Sequence, residues 1–270
     1  MRTSQTQRAA ESHAGRYKDL RAFCLFIGYP KSGHSLVGAL LDAHPDMVIA
    51  RAVNPLALVV ADGLPPAEVF ETLLQNSREE AARGRKQNKY RYVVEDQWQG
   101  RVRTLRVLGD KFSDRTTKRI GRTAGALASF REAIEVPLRL VHVIRNPFDM
   151  VARIAKSKLR EGTEEERRAQ ATAYIGKLAA INGEVIASGE HPVLTVRHES
   201  LVEDPKAELS AMCAFLGVET DPAYLAACAA IVFPSPQRTR ERVEWDTGQI
   251  AAVEQLIARH AFFGGYAFDN

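Results

Sequence analysis

The apolar run Phe23-Cys24-Leu25-Phe26-Ile27 has the uninterrupted hydrophobicity of a strand buried on both faces. Gly28-Tyr29-Pro30-Lys31-Ser32-Gly33 breaks that pattern, and beyond His34-Ser35 the residues Leu36, Val37, Leu40 and Leu41 recur at helical spacing. The spacing predicts a helix to about Ala43, ended by His44-Pro45, because the residue before a proline avoids the helical region. Met47–Ala50 reads as a second strand. Asn54 to about Arg85 is mostly helical in pattern, with a break at Gly63–Pro66 and the clearest amphipathic piece at Ala67–Leu74. The basic run Arg78–Arg91 is expected to face solvent, and Tyr90–Gly100, with Trp98 between two glutamines, to form a short hairpin or flap.

The alternation continues. Leu105–Leu108 is a strand ending in Gly109-Asp110-Lys111, and Thr116–Phe130 a polar helix. Leu138–Ile144 is the strongest strand of the chain and runs into Arg145-Asn146-Pro147-Phe148-Asp149 and a helix. Glu164 to about Ser188 is a long helix, Val193–Val196 a strand followed by helix to Gly217, Arg238–Trp245 a loop, and Thr247–His260 the last helix. Strands alternating with helices predict an α/β fold: a central parallel sheet flanked by helices. No internal repeat or low-complexity tract interrupts it.

Length and composition narrow this further. The 270 residues suffice for one substantial core, so a single domain over 21–270 is expected behind a flexible lead-in at 1–20. The net charge of +4 is modest, and the basic residues are spread without aromatic interleaving, which argues against a nucleic-acid partner. Cys24, Cys213 and Cys228 lack metal-ligand spacing and sit in apolar surroundings, the pattern of reduced core thiols. The N-terminus is polar and no run approaches membrane-spanning length, so the expected location is cytoplasmic. His44, before a helix-ending proline, and His142, inside a buried strand, read as structural.

Two stretches bring chemistry. A strand, a glycine-containing turn and a helix start aim backbone N–H groups and a helix N-terminus at one point, where an anion can sit. Gly28 to Gly33 has the spacing of half a P-loop, but His34 stands where the lysine belongs and Lys31 lies inside the loop. Arg145, ending a buried strand, puts a permanent forked cation at the sheet's carboxyl edge, where open α/β sheets bind ligands.

These stretches resemble the two nucleotide motifs of sulfotransferases that use 3′-phosphoadenosine 5′-phosphosulfate (PAPS). Pro30, Lys31, Ser32, Gly33 and Ser35 match the 5′-phosphosulfate loop, with His34 in place of the usual threonine. Arg145, Asn146, Pro147 and Asp149 match the 3′-phosphate motif; the resemblance implies that Arg145 binds the 3′-phosphate and that Asp149 acts structurally. Familiar cytosolic members carry a serine ligand eight positions after the arginine, where this chain has Arg153, either a substitute cation or an outward-facing helical residue. Val193–Leu216 resembles the family's strand–Tyr/His-Glu-x-Leu-x-x-Asp-Pro–helix segment, which makes Glu199 and Asp204 structural. The family's Arg-Lys-Gly loop before a late tryptophan corresponds to Arg238-Thr239-Arg240 before Trp245, so that either Arg238 or Arg240 closes over the nucleotide, or the loop is exposed and basic.

The resemblance implies a P-loop-like sulfotransferase architecture covering about Phe23 to Tyr266, and an enzyme that moves a sulfuryl group from PAPS to a hydroxyl or amine. Lys31 and the N–H groups of Ser32 to Ser35, His34 among them, would stabilise the leaving phosphate without a metal. An acceptor hydroxyl also needs a base. Cytosolic members place a histidine at the end of the strand that aligns with Arg106–Lys111, and other branches a glutamate after the first helix; neither is present here. Asp110 and His34 are the two candidates, and the choice stays open. The acceptor is a small molecule, carbohydrate or lipid, with Trp98, Tyr92 and Phe112 as possible lining. Two rival readings remain: a family member that binds nucleotide or a partner without turnover, and a P-loop phosphotransferase with Asp110 on magnesium.

Overall fold

The computed structural model describes residues 17–87, 90–157, 159 and 161–269, so residues 1–16 of the predicted lead-in lie outside the described residues. Strand β1 (Ala22–Gly28) is buried along its whole length. It is followed by α1 (His34–Leu41), β2 (Met47–Arg51), α2 (Pro55–Val60), α3 (Pro66–Ala82), a two-residue hairpin β3 (Lys86–Gln87) and β4 (Tyr90–Arg91), and β5 (Val107–Lys111). The second half contains α4 (Ser113–Arg122), α5 (Ala126–Ile134), β6 (Leu138–Ile144), α6 (Pro147–Ser157), α7 (Glu164–Ser188) and β7 (Val193–Arg197). It closes with α8 (His198–Glu203), α9 (Pro205–Leu216), α10 (Pro222–Ala230) and α11 (Thr247–Arg259).

Five strands form one sheet in the order β2-β5-β1-β6-β7, every neighbouring pair parallel. Alternate β1 side chains serve opposite faces. Cys24 and Phe26 join Leu36, Val37 and Leu40 of α1 and Met212 of α9 on one side, while Phe23, Leu25 and Ile27 join Phe70 and Leu73 of α3 and Phe130 of α5 on the other. Full burial of each such Phe, Leu or Ile contributes about 1.5–3 kcal/mol. A third cluster, around Tyr29, Ile144 and Phe148, packs α6, α7 and α11 near the carboxyl ends of β1 and β6. The predicted α/β architecture is therefore present.

Three local expectations are corrected. The single helix predicted over 116–130 is two: the chain leaves α4 at Thr123, whose backbone is extended, and restarts at Ala126. The strand predicted from Leu105 starts at Val107, and it ends in Gly109–Lys111 as expected. The basic run near the hairpin is not wholly solvated, because Arg85 is buried and forms an ion pair with Asp42, whose carboxylate also accepts from Ser77. Cys24, Cys213 and Cys228 are buried free thiols. At the start of the described chain, Tyr17 donates to Glu71 Oε1 at 2.6 Å and sets its ring edge-on to Phe70.

Candidate functional site

All five strands point their carboxyl ends at one cleft of about 320 Å³. Its walls include Lys31, Gly33, His34 and Ser35 after β1, Arg51 and Ala52 at β2, and Lys111, Phe112 and Asp114 at β5. Arg145 and Arg153 after β6 and His198 after β7 complete the ring, with Tyr90, Tyr92, Phe233 and Gln237 supplied from outside the sheet. This is the ligand-binding edge general to open parallel sheets, next to the strand where the order reverses.

One wall of the cleft is built by the loop between β1 and α1. Lys31 takes a left-handed conformation, φ 68°, rare for a residue with a side chain and met where a structure imposes it. Gly33 is left-handed as well, and a methyl there would fall 2.4 Å from His198 Nδ1, so only glycine fits. The N-terminus of α1 has no side-chain cap and no acidic residue in its first turn, leaving its positive dipole end for a ligand. Ser32 is buried and turned inward, its hydroxyl donating to the Tyr29 carbonyl at 3.0 Å. His34 Nδ1 lies 3.0 Å from that same carbonyl and 3.0 Å from Ser113 Oγ.

Opposite the loop stands Lys111, 6% exposed, its ammonium donating to Ser35 Oγ at 3.1 Å. Burial pulls its proton affinity down, and the neighbouring Asp110 acts against that. Asp110 does not reach the cleft. It is 0% exposed, and its two oxygens accept from the Val53 and Asn54 N–H groups at 3.0 Å each. Burial pushes its carboxyl up, while those two bonds and Lys111 hold it down. Reading Asp110 as the base, or as a magnesium ligand, is therefore corrected: its carboxylate is spent on holding the Ala52–Asn54 turn, where Ala52 and Asn54 both have positive φ.

A second wall is organised by Arg145, 6% exposed. One of its terminal nitrogens donates to the Gln237 carbonyl, and Asp149 Oδ2 stands 3.8 Å away. Arg145 Nε and His198 Nδ1 are buried without a hydrogen-bond partner, an arrangement that a bound oxyanion or ordered water would complete. Burial and the adjacent Arg145 push the His198 imidazole down to about 3, so it is neutral at physiological pH. Glu199 is structural as predicted: it accepts from Asn146 N at 2.9 Å and from Tyr266 OH at 2.6 Å. Asp204 is structural too, capping α9 through Ala207 N.

The C-terminal loop differs from its reading. Arg240 is 2% exposed; its backbone N–H and one terminal nitrogen donate to Asp149 at 2.8 and 2.7 Å, and its Nε donates to the Phe268 carbonyl at 2.6 Å. It locks the loop onto α6 and does not line the cleft. Arg238 pairs with Glu241 at 3.3 Å and lines a separate pocket of about 280 Å³ with Arg197, Glu199 and Tyr266. Just before them in the chain, Gln237 lines the main cleft.

Of the sequence-predicted residues, the cleft thus collects Lys31, Gly33, His34, Ser35, Arg145 and Arg153, and leaves out Ser32, Asp110, Arg238 and Arg240. Tyr92 and Phe112 line it and Trp98 does not; Trp98 stacks under Arg101 instead. Lys111, Arg51 and His198 were missed, although one signal could have found them: each lies at or just past the carboxyl end of a strand in a parallel sheet. Gln237 and Phe233 carried no such signal. Among the described residues no cluster of His, Cys, Asp and Glu could hold a metal ion, and no helix is long and apolar enough to cross a membrane.

Comparison with known proteins points one way. The family described as "Sulfotransferase family" matches residues 136–222, a span that includes Arg145–Asp149 and the segment from β7 into α9. No curated protein sequence matches the chain. Among solved structures, the sulfotransferase domain from the curacin biosynthetic pathway superposes with a TM-score of 0.51 at 13% identity, over 89% of this chain and 97% of that one. Sulfotransferase STF9 from Mycobacterium avium gives 0.51 at 11% identity, over 93% and 79%. At such identities the likeness is one of fold. The resemblance is borne out at the second of the two motifs: the chain has the sulfotransferase fold and carries the sulfotransferase family's sequence pattern across residues 136–222, a span that leaves the Pro30–Ser35 loop outside it.

Proposed function

We propose that this protein transfers a sulfuryl group from PAPS to a hydroxyl or amine of an acceptor, releasing adenosine 3′,5′-bisphosphate. The observation that carries the reading is one cleft whose walls bring together Lys31, Lys111, Arg145 and Arg153 from three separate segments of the chain. A donor with two anionic groups, a phosphosulfate and a 3′-phosphate, fits a cleft lined by that many cations.

In this reading Arg145 and Arg153 hold the 3′-phosphate. The open N-terminus of α1, Ser35 and Lys31 hold the 5′-phosphate, and Lys111 acts from across the cleft through Ser35. Sulfuryl transfer moves an SO₃ unit in line, so catalysis is mainly alignment and stabilisation of negative charge on the leaving phosphate oxygen. Cations and backbone dipoles already in place supply that stabilisation without reorganising. The walls formed by Tyr90, Tyr92 and Phe112 belong to the acceptor side.

Calorimetric titration of the metal-free protein with adenosine 3′,5′-bisphosphate, 5′-AMP and ATP tests this. A preference for the 3′-phosphorylated nucleotide without magnesium is expected. Absence of binding, or a magnesium-dependent preference for ATP, would overturn it. Tight binding with no transfer to any acceptor would favour the non-catalytic alternative.

A further inference from the structure

We infer that His34 is the general base of the transfer, oriented by the Tyr29 carbonyl and by Ser113, an assignment that rests on the sulfuryl-transfer reading above. The acceptor's proton must leave near the donor's sulfuryl group in the cleft, and few basic groups are there. Asp110 lies outside it with both oxygens engaged by backbone N–H groups. Asp114 accepts from the Tyr174 hydroxyl at 3.0 Å and belongs to the first turn of α4. His198 is buried against Gly33 beside Arg145, whose charge disfavours protonation. His34 opens α1 directly after the loop, between Lys31 and Ser35.

The contact with the Tyr29 carbonyl favours one tautomer. A carbonyl oxygen has no proton to give, so at 3.0 Å from Tyr29 O the Nδ1 of His34 is the donor. A neutral imidazole with its proton on Nδ1 carries its basic lone pair on Nε2. Ser113 Oγ at 3.0 Å and Ser32 Oγ at 3.4 Å meet the same Nδ1 and restrict the ring. Both hydroxyls also reach the Tyr29 carbonyl, at 3.4 and 3.0 Å, so ring, serines and carbonyl form one small network. A base held through one nitrogen by a carbonyl and working with the other is a recurrent way to keep a histidine in its reactive tautomer.

The step balances. Nε2 takes the acceptor hydroxyl proton as the acceptor oxygen bonds to sulfur. The bridging sulfur–oxygen bond breaks with its electron pair going to the 5′-phosphate oxygen, opposite Lys31 and the α1 N-terminus. The imidazolium then returns its proton to solvent once the products leave. Because His34 opens the helix that follows the donor-binding loop, donor and base are placed by the same β1–α1 connection.

Nitrogen-15 NMR of histidine-labelled protein, free and with adenosine 3′,5′-bisphosphate, tests the assignment without any acceptor; His34→Asn identifies the resonance. The expected result is an Nδ1–H tautomer, partly lost in Ser113→Ala. An Nε2–H tautomer in both states overturns the proposal. In parallel, sulfuryl transfer from PAPS to water should fall about 10²–10⁴-fold in His34→Asn, with calorimetric affinity for adenosine 3′,5′-bisphosphate changed only a few-fold. Wild-type rates in that variant overturn the proposal as well. If the wild-type protein fails to bind the nucleotide, the donor reading falls instead, which the calorimetry reports separately.

Discussion

The loop at Lys31–Ser35 and the loop at Arg238–Arg240 look alike in sequence: each puts cations between elements, and each stands where the family resemblance places a nucleotide loop, although Thr239 and Arg240 depart from the Lys-Gly of that pattern. Their fates differ. Lys31 and Ser35 wall the cleft beside an uncapped helix N-terminus, whereas Arg240 is buried against Asp149 and the Phe268 carbonyl and Arg238 turns to another pocket. A cation in a motif becomes a binding group only where the fold leaves its donors facing the ligand. Where a buried carboxylate meets it first, the same residue becomes a strut.

The sharpest way to break this contrast is through the strut. Removing one partner of a buried ion pair leaves the other charge uncompensated, so Arg240→Ala should destabilise by about 3–5 kcal/mol in denaturant unfolding. Little loss of stability would mean that the pair with Asp149 carries no weight and that Arg240 is free to serve the nucleotide. Lys31→Ala should do the reverse: a near-native unfolding curve, but turnover of PAPS lower by about 10²–10³-fold, the effect of removing a preorganised charge from the leaving group. A stable protein with near-normal turnover would take Lys31 out of the mechanism.

Arg145 tests the second wall of the cleft. Hydrogen bonds to charged groups contribute about 1.5–3 kcal/mol, so Arg145→Ala should weaken adenosine 3′,5′-bisphosphate binding about 10- to 100-fold while barely altering affinity for 5′-AMP. Equal weakening of both nucleotides would move the 3′-phosphate elsewhere.

A smaller effect separates the buried histidines from the loop histidine. Burial pushes His142, like His198, down to about 3. Between pH 6.5 and 3 the unfolded chain therefore binds a proton that the folded chain refuses, and stability falls as pH is lowered through that window, by up to about 1.4 kcal/mol per pH unit for each group. The stability difference between wild type and His142→Asn should shrink toward acid with that slope; a pH-independent difference would show that His142 is protonated in the fold. Arg238 is half exposed and pairs with the exposed Glu241, so Arg238→Ala should change stability and nucleotide affinity by no more than about 0.5 kcal/mol.

Contiguous features were legible. The run Phe23–Ile27 and the run Leu138–Ile144 each declare a strand buried on both faces, and together with the helical spacing after His34 they imply the parallel sheet. Lys31 and Arg145 could be singled out because each follows such a strand directly. The helix boundary after Thr123 was missed, although Gly125, left-handed at the start of α5, carried a signal for it.

What the sequence determined by itself was therefore local: which segments are strands and helices, and that two of the turns after strands carry cations suited to phosphate. These depend on short-range periodicity and on backbone geometry within a few residues. Tertiary structure alone decided which charges stay available. Asp110 and Arg240 look like site residues until the Val53 and Asn54 N–H groups and Asp149 are brought against them. Lys111 and His198 look ordinary until the sheet aligns the ends of β5 and β7 with the end of β1. The physical reason is that the cost of burying a charge is met by whatever partner the fold supplies, and that partner is set by chain topology across distances no local pattern records.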